Sequence, residues 1–150
     1  MQRTLILFKP DAVQRRLIGT LIQRFEQKGL QLVGLKLIHP TRALAEKHYE
    51  VHKGKPFYES LLQFLTNGPT VALVWQGREA VAVARTLMGP TDGAKAPPAT
   101  IRGDFAISVQ NNLVHGSDSP ENAAAEIALW FKPEELLNYA SVDAAWIAGA

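Results

Sequence analysis

Thr4-Leu5-Ile6-Leu7-Phe8 is the stretch on which the fold turns. After Thr4 it runs apolar without interruption over the length of a strand. A half-buried strand alternates apolar and polar residues, whereas a continuous run marks a strand covered on both faces. Lys9-Pro10 ends it, and no glycine-rich turn follows of the kind a doubly wound parallel sheet usually shows there. Downstream, Leu17, Ile18, Leu21, Ile22 and Phe25 recur at helical spacing, so residues 12–28 read as an amphipathic helix that Gly29 caps. Gln31 to Ile38 returns to strand character, and His39-Pro40 stops it. Thr41 is a natural N-cap for a helix running to His52. Residues 57–66 make a second short helix, closed by the turn Asn67-Gly68-Pro69. Thr70 to Trp75 is a third strand, and Glu79 to Met88 a helix.

Gly89 to Thr100 holds three prolines and two glycines and shows no periodicity, which makes it a long loop of a kind more often functional than decorative. Phe105 to Val109 alternates and reads as the fourth strand. Ser119 and Pro120 then open a last long helix over 121–131, with Ile127, Trp130 and Phe131 inward. Lys132-Pro133 restarts a short helix, and the alanine-rich end gives no signal. The order β-α-β-α-α-β-α-β-α fits an α+β, ferredoxin-like split βαβ sandwich: a four-stranded antiparallel sheet covered by helices. The doubly wound parallel sheet is the alternative.

The chain has 150 residues, the size of one domain, expected to span 1–150. It has no cysteine, which excludes a disulfide scaffold, a Cys-ligated zinc module and a cysteine nucleophile, and fits a reducing compartment. Its 16 Lys+Arg against 14 Asp+Glu give a formal charge of +2 with no long basic run, so nucleic acid is not expected as the main partner. No apolar stretch reaches the ~20 residues needed to span a membrane, and the N-terminal apolar run is too short for a secretory signal. A cytoplasmic location is expected.

The sequence contains neither G-x-x-x-x-G-K-[ST] nor any G-x-G, which removes the P-loop, the dinucleotide fingerprint and the protein-kinase glycine loop. His48 and His52 have the spacing of a zinc pair on a helix, but Tyr49 stands where a metalloprotease needs Glu, and no third ligand is evident. They read as helix-surface histidines. His115 lies in Asn112-Leu113-Val114-His115-Gly116-Ser117-Asp118-Ser119. Gly116 permits an unusual backbone and removes side-chain bulk beside it. A helix N-terminus, an attractor of phosphate, follows within five residues. Glu126, about two turns into that helix, could reach back to hold one imidazole nitrogen and leave the other as a nucleophilic lone pair. Spacing leaves two readings of His115 open, a capping-turn residue or a catalytic one. Lys9, Arg85 and Arg102 each flank an element terminus. Convergence on a polyphosphate would favour the second.

These segments together resemble the nucleoside diphosphate kinases over essentially the whole chain. The matching residues are Lys9-Pro10-Asp11-x-Val13-Gln14-Arg15, Gly68-Pro69 with Trp75, Thr100 to Phe105, Asn112 to Ser119, and Leu129 to Glu135. The resemblance implies a ping-pong transfer of the γ-phosphate of a nucleoside triphosphate to a nucleoside diphosphate, through a phosphohistidine at His115. It implies that Lys9 and Asn112 bind the ribose 3′-hydroxyl, with Lys9 also on the transferring group. By the same resemblance Arg85, Thr91 and Arg102 bind phosphate oxygens. Phe57 stacks on the base beside Leu61 and Val109, Tyr49 and Ser117 support the centre, and Glu126 orients His115. His52 lies where some members hold a histidine near the phosphates. The cofactor implied is Mg²⁺ carried on the nucleotide phosphates, with no metal bound by the protein itself. Stacking that ignores hydrogen-bonding edges implies broad base specificity. Members assemble as homo-oligomers, and the chain length favours a hexamer over a tetramer. The loop departs from many relatives at Asp92 to Lys95 and at Ala99, which bears on assembly, while Thr91 is kept.

Overall fold

The computed structural model describes residues 1–149. Four strands form the sheet: β1 (Gln2–Phe8), β2 (Gln31–Ile38), β3 (Thr70–Gly77) and β4 (Val114–Gly116). The helices are α1 (Pro10–Gln14), α2 (Ile18–Lys28), α3 (Arg42–His48), α4 (Tyr58–Thr66), α5 (Ala80–Met88), α6 (Ile101–Phe105), α7 (Pro120–Trp130) and α8 (Ala144–Ala148). Short 3₁₀ turns stand at Glu50–His52, Gly93–Lys95 and Pro133–Glu135. The sheet order is β2-β3-β1-β4 and each pairing is antiparallel, which is the split βαβ arrangement of the ferredoxin type. No helix among the described residues is long and apolar enough to cross a membrane.

The uninterrupted apolar run of β1 has a direct cause. Ile6 and Phe8 join Leu73 and Trp75 in one core, closed by Leu21 and Phe25 of α2 and Ala80, Ala84 and Met88 of α5. Leu5 and Leu7 point the other way, with Ala72 and Val74, against Ala45 of α3, Leu62 and Leu65 of α4, and Ile127 and Trp130 of α7. Leu5 to Phe8 are all fully buried. Each such side chain contributes ~1.5–3 kcal/mol relative to exposure, so both faces of this strand drive folding.

The fourth strand does not lie at 105–109. Residues 101–105 are helical, and Ile107 and Val109 are 85% and 56% exposed. The Thr100 side chain accepts from the Gly103 N–H at 2.9 Å and caps α6. A Cβ on Gly103 would lie 1.8 Å from the Pro97 carbonyl oxygen, so only glycine fits against the loop there. Capping and close approach outweigh the weak alternation. The strand forms instead at Val114–Gly116, against Ile6 to Phe8.

The expected helix over 12–28 is broken, with Arg16 at φ 58° between α1 and α2, while Gly29 caps α2 in the left-handed conformation as expected. The helix from Thr41 stops at His48 and tightens into the 3₁₀ turn at Glu50–His52. Ser119 caps α7 by accepting from the Asn122 N–H at 3.1 Å. The alanine-rich end contains α8.

Candidate active site

Antiparallel pairing of β1 with β4 sets Phe8 opposite Val114 and Leu7 opposite His115. The chain leaving β1 therefore meets the chain entering β4. The Lys9 N–H donates to the Leu113 carbonyl at 2.8 Å, and the Leu113 N–H donates to Asp11 Oδ2 at 3.0 Å. These bonds hold Leu113 at φ 75°, a left-handed conformation that costs a non-glycine residue ~1–3 kcal/mol and persists only where the surroundings over-determine it. The strain lies at Leu113, and Gly116 has no positive φ. Gly116 is required for closeness instead, since a Cβ there would meet Met88 Sδ at 2.6 Å.

Lys9 is 8% exposed, and its ammonium donates to Asn112 Oδ1 at 2.5 Å and to the Gln110 carbonyl at 3.3 Å. Burial, helped by the Arg102 charge and opposed by Asp11, lowers its pKa to about 8. The Asn112 amide in turn donates to the Thr91 carbonyl at 3.0 Å, which ties the proline-rich loop to the site.

His115 shares a sheet face with Leu7, the face that α3 and α7 cover. Its Nε2 lies 3.0 Å from Glu126 Oε2. Ser117 donates to the other carboxylate oxygen. Burial would raise the Glu126 pKa, but the bonds from His115 and Ser117 outweigh it and hold the carboxyl below its ordinary value. An ionised Glu126 is placed to accept a proton from Nε2, and a neutral ring held in that way would present Nδ1 as its lone pair.

Arg102 is 7% exposed. Its guanidinium donates to the carbonyls of Asn112, Gly89 and Val114 at 3.3, 2.9 and 2.7 Å. Two of its five N–H groups stay available. Burial, with the charge of Arg85 next, lowers its pKa to about 10. Arg85, in the last turn of α5, donates to the Gly116 carbonyl at 3.3 Å. A cleft of about 770 Å³ brings Lys9, Arg85, Thr91, Arg102 and Asn112 together around His115, with Glu126 and Tyr49 in its wall. Burial raises the Tyr49 pKa to about 12. Phe57, Leu61 and Val109 stand outside these walls. Phe57 is 47% exposed and its ring centroid lies 5.3 Å from that of His52, which does line the cleft.

The reading of His48 as a helix-surface residue is corrected. Its ring lies 4.5 Å from the His115 ring at 78°, and the Trp130 indole donates to its Nδ1 at 3.1 Å. Burial and the neighbouring His115 lower its pKa to about 3, so it stays neutral. The helix ends at this residue and turns it inward, which the i, i+4 pairing with His52 could not reveal. An inward Trp130 was legible, but not its partner. His48, His115 and Glu126 offer ligand atoms within 4.8 Å of one another. They do not fit a transition metal, because the indole occupies the lone pair of His48 and the remaining nitrogen carries a proton.

The family model described as nucleoside diphosphate kinase matches residues 2–136. The chain is 58% identical over 147 residues to the nucleoside diphosphate kinase of Carboxydothermus hydrogenoformans, covering 98% of this chain and 99% of that protein. It is 55% identical to that of Thermosynechococcus vestitus, covering 98% of each. Among solved structures, a nucleoside diphosphate kinase family protein from Babesia bovis superposes with a TM-score of 0.96 at 46% identity, covering 98% of this chain and 99% of that one. The Halobacterium salinarum nucleoside diphosphate kinase, in complex with CDP, superposes with a TM-score of 0.95 at 44% identity over 97% of both chains. With a buried lysine, two arginines and a carboxylate-held histidine around one cleft, and with sequence and fold agreeing along nearly its whole length, the chain belongs to the nucleoside diphosphate kinase family.

Proposed function

We propose that this chain, a phosphotransferase acting between nucleotides, works through His115 in two half-reactions at one site. The observation that carries the reading is the Glu126 bond to Nε2, which leaves Nδ1 as the nucleophile. Nδ1 attacks the γ-phosphorus of a nucleoside triphosphate, and the nucleoside diphosphate leaves with the electron pair of the broken P–O bond. A terminal oxygen of a second diphosphate then attacks the phosphohistidine and restores the lone pair. Phosphoryl transfer asks mainly for positioning and charge neutralisation. Lys9 meets the transferring group and, with Asn112, the 3′-hydroxyl. Arg85, Thr91 and Arg102 bind phosphate oxygens. Ser117 steadies Glu126, and Tyr49 supports the centre.

The carboxylates in the cleft wall are Glu50, Asp118 and Glu126, and Glu126 has both oxygens engaged. Asp118 accepts from the Asn122 amide, and Mg²⁺ is taken to arrive on the nucleotide phosphates. Bound in that way, it supplies further neutralisation at the phosphates. Phe57, with Leu61 and Val109, would offer the base a stacking face, and stacking without edge recognition accepts purines and pyrimidines. His52 lines the cleft next to Phe57, the position at which some members hold a histidine near the phosphates.

We place the chain as a single domain in the cytoplasm, without cysteine, and as a homo-oligomer, hexamer favoured over tetramer. Leu35 and Leu37 of the edge strand β2 are 51% and 65% exposed and Trp146 91%, a surface that assembly would cover. Incubation with γ-labelled ATP and Mg²⁺ tests the mechanism. An acid-labile, alkali-stable phosphoenzyme is expected, discharged by any nucleoside diphosphate. The reading fails if His115→Ala labels as well as the parent.

A further inference from the structure

Trp130 and Glu126 lie four residues apart on α7 and so share one face, directed at the two histidines. Glu126 takes His115, and Trp130 takes His48. An indole N–H can only donate, so the 3.1 Å bond to Nδ1 makes that nitrogen of His48 an acceptor. The proton of the neutral ring must then sit on Nε2. This Nε2 is buried and has no hydrogen-bond partner among the described residues. A buried N–H without an acceptor costs ~1–3 kcal/mol and is rare enough to demand a reason. The ring that carries it stands edge to face against His115, at 4.5 Å between centroids.

We infer that His48 is a further catalytic hydrogen-bond donor of this site: Trp130 fixes its tautomer, and its Nε2–H serves the phosphoryl group carried by His115. Trp130 is then a positioning residue that acts through His48. The groups facing His48 are Lys9 and His115 from the sheet side, Glu126 and Trp130 from α7, and Tyr49 and His52 from its own segment. Protonating Nδ1 would turn two N–H groups against each other, so the indole also keeps His48 uncharged. A neutral donor next to His115 stabilises phosphoryl oxygens without drawing Glu126 away from Nε2. The inference rests on His115 as the nucleophile.

Single-turnover labelling with γ-labelled ATP and Mg²⁺ tests it, with nucleotide affinity measured separately. His48→Phe keeps the aromatic packing and removes the donor. His48→Gln loses the ring but restores an N–H near the Nε2 position. His48→Phe is expected to label about tenfold or more slowly at saturating ATP. Its nucleotide affinity should stay within about twofold of the parent, and His48→Gln should recover most of the rate. Parent-like labelling by His48→Phe, or a loss that glutamine does not restore, overturns the inference. If His48→Phe does not fold, Trp130→Phe decides. It should label more slowly and lose rate on the acid side at a higher pH than the parent, because Nδ1 is no longer blocked by a facing N–H, although burial and His115 still oppose the charge. A parent-like rate and pH profile would refute the tautomer lock. His115→Ala is run alongside: if it labels, the nucleophile assignment has failed, and if it stays unlabelled while the His48 variants behave as the parent, only the role of His48 is lost.

Discussion

At the scale of single residues, Lys9 and Glu126 are shifted by burial and bonding in ways that pH reads directly. Lys9 has a pKa of about 8 in the fold against 10.5 ordinarily. Between these values the unfolded chain holds a proton that the folded one has released, so this group makes stability rise as pH rises across the interval. Nucleotide affinity should move the opposite way, since the ammonium that meets the phosphates is lost. Melting curves and nucleotide titrations of the parent and Lys9→Met check both trends. A parent without either trend, or a variant that keeps both, contradicts the assignment. Glu126 works in the same direction in the acid range, because its folded pKa is lowered too. Its folded pKa lies below the ordinary carboxylate value of ~4.3, so its contribution is full above that value and fades as pH falls through the lower one. Glu126→Gln should therefore narrow the difference between neutral and acid stability in an acid titration followed by circular dichroism. It should also slow His115 labelling by about 10²-fold, within the range of general positioning and proton-holding effects. An unchanged rate would mean that His115 needs no carboxylate to set its tautomer.

Elements differ in how well the sequence announces them. β1, β3, α2 after its break, α5 and α7 were legible because each has one dominant signal, an apolar run, a 3.6-residue stripe or a cap. Residues 105–109 misled because period-two alternation over five residues is a weak signal, and Thr100 with Gly103 had already committed the preceding turn to a helix. The site divides in the same way. Lys9, His115 and Glu126 could be singled out from spacing, Lys9 at the end of a strand, His115 ahead of a helix N-terminus and Glu126 about two turns into that helix, while Asn112 came with the family resemblance. His48 could not, since its partner Trp130 is 82 residues away and only the packing of α3 on α7 joins them. Two substitutions separate elements that carry the site from elements that merely hold the chain. Ser119→Ala removes the α7 cap at a cost of ~1 kcal/mol. It should lower the melting temperature by a few degrees while labelling stays near the parent level. Gly103→Ala drives a Cβ into the Pro97 carbonyl and should cost ~1–3 kcal/mol or more. Because it displaces Arg102, it should also weaken nucleotide binding. Equal catalytic effects of the two would show that α6 does not position the site.

At the scale of the whole molecule, the sheet has one functional edge and one unfinished edge. β4 ends the sheet on the side of the cleft, where its few residues are occupied by His115 and its neighbours. β2 ends it on the other side. Leu35 and Leu37 lie opposite Leu73 and Val71 in the register and so share the face of the first core, yet both remain more than half exposed. An apolar edge strand left open invites uncontrolled pairing, and covering it with another copy removes the hazard and adds buried apolar area. If the assembly is built on this edge, Leu37→Lys should shift the sedimentation coefficient toward that of a smaller species. The parent's melting temperature should rise with protein concentration by mass action, and the variant's should do so less. Labelling of His115 per chain should persist if the residues this chain brings around it suffice for the first half-reaction. A variant that sediments as the parent would remove β2 from the assembly surface. A dissociated variant that no longer labels would show instead that a neighbouring subunit completes or steadies the cleft.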